Sequence, residues 1–142
     1  MHTATYYKKH LGLMPHPEGG HYTEVYRSPL ELEVAGFEGL RNMCTSIFFL
    51  LEAGETSALH RIKSDELWYH HDGGILEIME LDEAGNEIIT KLGKALDEGC
   101  VLQHAVKAGR WFGARPAVGS EYCLVGCQVS PGFDFRDFEL KG

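Results

Sequence analysis

The sequence predicts an all-β barrel or sandwich preceded by one short helix. Three observations lead there: apolar runs of strand length, turn signals between them, and helical patterning confined to the first dozen residues. The runs are "HYTEVYRS", "NMCTSIFFLLE", "SALHRI", "ELWYHH", "ILEIMELD", "EIITKLG", "VLQHAV", "WFGAR" and "EYCLVGCQVS". Between them stand "AGE", "KSD", "DGG", "DEAGNE", "DEG", "KAGR" and "AVGS", whose residues favour tight turns. Short strands spaced this regularly close into an antiparallel barrel or sandwich. The 17 glycines among 142 residues suit so many turns.

Taken in order, "ATYYKKHLGL" places Tyr7, Leu11 and Tyr6 on one side of a helix, with Thr3 or Thr5 as cap and Gly12 near its end. "MPHPEGG", residues 14 to 20, holds two prolines and two glycines and predicts a fixed turn or loop. A single Gly-Gly pair without a strand and helix around it is not a phosphate loop. In the next run Tyr22, Glu24 and Tyr26 alternate, facing either a pocket or a partner subunit. The tail "SPGFDFRDFEL" carries Phe133, Phe135 and Phe138, enough apolar surface to dock on the body, with Asp134 and Asp137 read as solvating it. Arg27 and Arg115 read as surface residues.

One domain spanning residues 1–142 is expected from the length. A composition of 44% hydrophobic and 24% charged residues is that of a soluble globular protein. Thirteen Lys and Arg against 21 Asp and Glu give a net charge of −8, with no basic run. That argues against nucleic acid or an anionic membrane as partner. "SIFFLLEAG" is too short to span a bilayer, and "MHTATYYKKH" lacks the apolar stretch of a secretory signal, so a cytoplasmic location is expected. Cys123 and Cys127, four residues apart on one strand, stand roughly 13 Å apart and cannot bridge. All four cysteines are read as reduced and mostly buried.

The densest chemistry lies in "HRIKSDELWYHH", residues 60 to 71. If "KSD" closes a three-residue hairpin, Ile62 opposes Glu66 and His60 opposes Trp68. Alternation then puts His60, Ile62, Glu66, Trp68 and His70 on one face. Arg61, Leu67, Tyr69 and His71 fall on the other.

Here the chain resembles the cupin superfamily. Gly54, five residues, His60, one residue, Ile62, three residues, Glu66, six residues and Gly73 reproduce the first cupin motif, with Ile62 where that motif has its second histidine. "VKAGRWFGARP" resembles the second motif, with Lys107 for its proline, Gly109 matching, and Phe112 at the last metal-binding histidine. Through "PHPEGGHYTEVYRS", "TSIFFLLEAGETSALHRIKSDELWYHHDG" and "LVGCQVSPGFDFRDFEL" it resembles the small single-domain cupins of unknown function, also described as epimerase-like. The resemblance implies a cupin double-stranded β-helix, a jelly-roll barrel with a short N-terminal helix, forming a homodimer with a ligand pocket at the barrel mouth.

It also implies a choice of chemistry. A metal-binding cupin presents three histidines and a glutamate, of which His60 and Glu66 remain; His70 could join them only through a bulge, and His104 has no readable face. No cofactor is expected, and the alternative is a divalent transition metal on His60 and Glu66. A metal-free acid/base pocket needs a histidine near neutral pKa, an orienting carboxylate and a proton donor. His60 is the expected base, Glu66 the group that orients it, and Tyr22, Tyr26 or Tyr122 the donor. Trp68, His70, Trp111, Phe112, Tyr22 and Tyr26 are expected around a small-molecule ligand. The leading function is isomerase-like or epimerase-like proton transfer on a carbohydrate-like or carbonyl compound; the alternatives are a non-catalytic ligand-binding or sensing barrel and a metal-dependent cupin enzyme. Covalent hydrolase chemistry has no support, since no GxSxG occurs.

Overall fold

The computed structural model of the protein describes residues 2–142. Helix α1 covers Ala4–Leu11. The strands are β1 (Met14–Pro15), β2 (His21–Arg27), β3 (Glu31–Glu33), β4 (Leu40–Asn42), β5 (Thr45–Glu52), β6 (Ser57–Arg61) and β7 (Asp65–Gly73). They continue as β8 (Leu76–Leu81), β9 (Glu87–Leu92), β10 (Gln103–Val106), β11 (Phe112–Pro116), β12 (Tyr122–Ser130) and β13 (Glu139–Leu140). One sheet runs β1-β2-β5-β12-β7-β10, the other β13-β6-β11-β8-β9, and β3 and β4 form a separate hairpin. The pairings within both sheets are antiparallel, and the chain changes sheet at nearly every connection from β5 to β12. This is the jelly-roll barrel that the strand pattern and the resemblance imply.

That path corrects one expectation. "KSD" does not close a hairpin: β6 pairs with β11 and β13, while β7 pairs with β12 and β10. The corner carries the chain from one sheet to the other. The inward face nevertheless matches the alternation, because the pleat of each strand acts independently of its neighbour. Glu66, Trp68 and His70 are buried, as are His60 and Ile62. Between Ser57 and His60 the register against β11 shifts, so both residues turn inward.

Two apolar clusters follow from the layering. The barrel interior joins Phe49, Leu51, Trp68, Leu76, Ile78, Phe112, Val125 and their neighbours. On the outside of β5 and β12, Leu50, Tyr122 and Leu124 meet Ala4, Tyr7 and Leu11 of the helix. The continuous apolar run of β12 is thereby explained, since both its faces are covered. Thr3 caps the helix and Gly12 ends it in a left-handed conformation, as the sequence predicts; Tyr6 stays 38% exposed. All four cysteines are free, and Cys100, Cys123 and Cys127 are buried. Among the described residues no helix is long and apolar enough to cross a membrane.

The tail docks through the pairing of β13 with β6, and Asp137 adds a buried anchor. Instead of solvating the tail, Asp137 accepts two hydrogen bonds of 2.8 Å from Arg41, with side-chain exposures of 1% for Arg41 and 5% for Asp137. Arg41 also donates to the carbonyls of Glu38 and Leu40. Ser64 donates to the Pro131 carbonyl and the Phe133 amide to Thr45, which fixes the start of the segment. Removing one member of such a buried pair strands the other's charge. Asp137→Asn is therefore expected to lower Tm by several degrees and to expose residues 131–142 to limited proteolysis, as read by calorimetry and mass spectrometry of the digest.

Candidate functional site

A pocket of about 120 Å³ is lined by side chains of β2, β5, β6, β7 and β12, by the turn before β2 and by the tail. Its polar end holds His16, Glu18, His60 and Glu66, and its apolar wall is built from Tyr22, Ile47, Phe49, Trp68, Val129, Phe133 and Phe135.

His60 is 3% exposed, between the rings of Phe112 at 4.2 Å and Phe138 at 5.3 Å. Its Nδ1 lies 2.7 Å from the Ala58 carbonyl oxygen. A carbonyl can only accept, so Nδ1 carries a proton and donates it. In the neutral ring Nε2 then keeps the lone pair, and it stands 3.1 Å from Oε2 of Glu18. Burial holds the His60 pKa below its ordinary value, partly offset by the bond to Ala58. The carboxyl in contact with His60 is therefore Glu18, where the sequence pointed to Glu66.

Glu18 reaches the pocket because the 16–20 turn is pressed onto the edge of β6. Its carbonyl accepts the Ala58 amide at 2.9 Å, and its own amide donates to Nδ1 of His16 at 3.0 Å. Gly19, at φ +112°, has no room for a side chain: a Cβ there would stand 2.1 Å from the Thr56 carbonyl oxygen. Burial pushes the Glu18 carboxyl up to about 7, with the Ser57 hydroxyl acting in the opposite direction. At 3.1 Å from a neutral Nε2, Glu18 holds its contact as a protonated acid; the alternative is a carboxylate beside an imidazolium. One proton fills that gap either way.

Glu66, 8% exposed, is pushed up to about 8, first by burial and then by the charge of Glu18, against a lowering by the Cys127 thiol. His16, packed on Tyr22 and Phe49, is pushed down to about 4 by burial and by His60. It is therefore neutral, and since its Nδ1 accepts from Glu18, its Nε2 bears the proton. The pocket thus sets neutral imidazoles against carboxyls that hold their protons to unusually high pH.

Of the residues expected around a ligand, His60, Glu66, Trp68 and Tyr22 line the pocket. Phe112 lies behind His60 in the core. His70 does not line it: its Nε2 donates to the Gly74 carbonyl oxygen, 2.7 Å away at the far end of β7. Trp111 is on the outer surface, its ring beneath Arg61 at 4.5 Å and Lys141 at 4.9 Å. A bulge between Glu24 and Tyr26 inverts the alternation of β2, so Tyr26 is 50% exposed and Arg27 lines the pocket in its place. Tyr122 bonds Asp72 and the His2 carbonyl outside the barrel, and His104 is 2.6 Å from Glu80. Sequence reasoning missed His16, Glu18, Arg27 and Cys127. The available signal for the first two was "HPEGG", a His and a Glu set beside two glycines that only a crowded turn requires.

Metal-binding cupins raise the question of an ion. His60 and Glu66 stand at two of the four ligand positions of the motif, and Ile62 and Phe112, both apolar and buried, stand at the others. Among the described residues no three His, Cys, Asp or Glu side chains converge as ligands for one ion. Of the four motif positions, two carry donors, fewer than the three or four protein ligands such sites use.

Comparison with known proteins gives a consistent placement. No curated protein matches this chain. A hypothetical protein from Leishmania major is similar in structure, with TM-score 0.91 and 37% identity over 99% of this chain and 88% of that one. A protein from Shewanella oneidensis has TM-score 0.91 and 39% identity over 100% of this chain and 86% of its own. Oxalate decarboxylase from Bacillus subtilis has TM-score 0.63 at 16% identity, over 89% of this chain and 29% of that one, a likeness of fold alone. The family described as Cupin superfamily (DUF985) matches residues 6–141, nearly the whole jelly roll together with its pocket and tail. By that match the chain belongs to the DUF985 family of the cupin superfamily.

Proposed function

We propose that the pocket binds a small carbonyl compound and moves a proton at the carbon beside its carbonyl, as an isomerase or epimerase does. The observation that carries this reading is the buried set of Glu18, His60 and Glu66, in which a base and an acid can coexist near neutral pH. The Glu18–His60 pair, having released the proton from its 3.1 Å gap, is the base. Protonated Glu66 faces the same space as the acid that bonds the developing enolate oxygen or returns the proton. The anchored Nδ1–H of His60 keeps the ring in one tautomer through the cycle. The protein is taken to work as a cytoplasmic homodimer; the apolar side chains exposed between residues 25 and 43, Val25, Tyr26, Leu30 and Leu40 among them, offer a surface for a second subunit.

The test is a panel of small aldehydes, ketones, keto acids and lactones incubated with the protein in heavy water and followed by NMR. Deuterium is expected at the carbon beside the carbonyl of at least one compound, with Glu18→Gln and His60→Ala each slowing its entry by about a hundredfold or more. Compounds that bind and are recovered without deuterium would leave a binding barrel and remove the enzyme.

A pH profile of the exchange separates the roles. The base form needs Glu18 ionised, and the acid form needs Glu66 protonated, so the rate is expected to rise through about 7 and fall through about 8. A rate that climbs steadily beyond that range would remove Glu66 as the acid.

Stability carries a second signature of Glu66. Its pKa in the folded state lies above its unfolded value of about 4.5, so the folded protein prefers the protonated form. That contribution is fully present below about 4.5 and is lost as pH rises through about 8. Glu66→Gln is expected to raise Tm by several degrees above pH ~8 and by much less near pH ~4.5, measured by calorimetry.

A further inference from the structure

The pocket is small. Glu18, His60 and Glu66 line it together with the aromatic rings of Tyr22, Phe49, Trp68, Phe133 and Phe135, the last two from the C-terminal segment. Phe133 and Phe135 stand edge to face with centroids 4.9 Å apart, and Phe138 links them to His60. Phe133 is held on both sides, its amide donating to Thr45 and its carbonyl accepting from Arg27. Phe135 differs: it lines the pocket yet is 56% exposed, a large apolar ring left in water at the mouth. Trp68 also lines the pocket; it is 1% exposed, and its indole N–H has no hydrogen-bond partner among the described residues. A buried donor of that kind costs free energy until an acceptor meets it.

Size narrows the occupant. An apolar cavity of about 150 Å³ holds one benzene ring, and this pocket encloses about 120 Å³. That volume is on the scale of one small ring and below that of two.

We infer that the ligand is a single-ring carbonyl compound, a lactone, cyclic ketone or ring-form sugar derivative, whose flat face is covered by Phe135, with Phe133 at its rim, while its oxygen-bearing edge turns to Glu18, His60 and Glu66. Only the carbonyl in this statement rests on the proton-transfer reading; the ring rests on the pocket's size and on the aromatic wall. Phe135 is then a specificity-determining residue. It discriminates because a rigid ring presents its whole face at no conformational cost, whereas an open chain must be ordered to do the same.

The experiment uses the full chain carrying Trp111→Phe, so that Trp68 is the one remaining indole. Cyclohexanone and δ-valerolactone are titrated against their open-chain counterparts, methyl butyl ketone and methyl butyrate, by Trp68 fluorescence and by ligand-observed NMR. Each ring is expected to bind about tenfold or more tightly than its open-chain counterpart. Phe135→Ala, an exposed position that leaves the core intact, should erase this preference with little change for the open chains, and Phe135→Trp should retain it. A ratio near one in the parent protein, a preference that survives Phe135→Ala, or no ring binding at millimolar concentration overturns the inference. Ring preference without deuterium exchange would remove the proton-transfer reading and leave the clamp. Exchange on open chains without ring preference would do the reverse.

Discussion

The polar end of the pocket depends on a backbone contact, the one between residues 18–19 and residues 56–58. The Ala58 amide bonds the Glu18 carbonyl while the Ala58 carbonyl accepts from His60, so one residue of β6 positions both members of the Glu18–His60 pair. Gly19 permits the approach because its missing side chain leaves the Thr56 carbonyl undisturbed. Without this contact Glu18 would be an ordinary solvated carboxylate on a loop. With it, the carboxyl is carried out of water and against an imidazole whose orientation is already determined.

Burial then does the electrochemical work. Among the described residues the one Lys or Arg that lines the pocket is Arg27, and it is engaged by Glu24 at 2.7 Å. Desolvation therefore dominates, raising Glu18 and Glu66 and lowering His16 and His60. A fold that sought only stability would fill such positions with apolar side chains. Keeping four ionisable groups inside a jelly roll is a cost to stability.

The tail completes the enclosure from the other side. Its aromatic residues continue the interior of the barrel outward, from Phe112 and His60 through Phe138 to Phe133 and Phe135. The buried Arg41–Asp137 pair ties this segment to the β3–β4 hairpin region and not to the barrel walls alone. Tail docking and the conformation of that hairpin are in this way coupled through the ion pair and through the bonds from Gly132 to Asn42 and from Arg136 to Glu38.

From sequence alone the strand pattern, the N-terminal helix with its caps, the reduced cysteines, the docking of the tail and the inward face holding His60, Glu66 and Trp68 were all legible, because each depends on local periodicity or on a few neighbouring residues. What sequence could not supply was which strands pair and what crosses between distant segments. The "KSD" corner reads like a hairpin loop, since loop chemistry does not record whether a chain continues in the same sheet. Tyr26 and Arg27 exchanged places through a bulge, which shifts register by one residue without any marker in the side chains. His70 and Trp111 left the site because strand length and the outer face of the second sheet decide their distance from it. Glu18, the carboxyl that meets His60, lies 42 positions before it in the chain. Only the closure of the barrel brings the two together, because a hydrogen bond between segments that far apart is set by packing and not by any local preference of the chain.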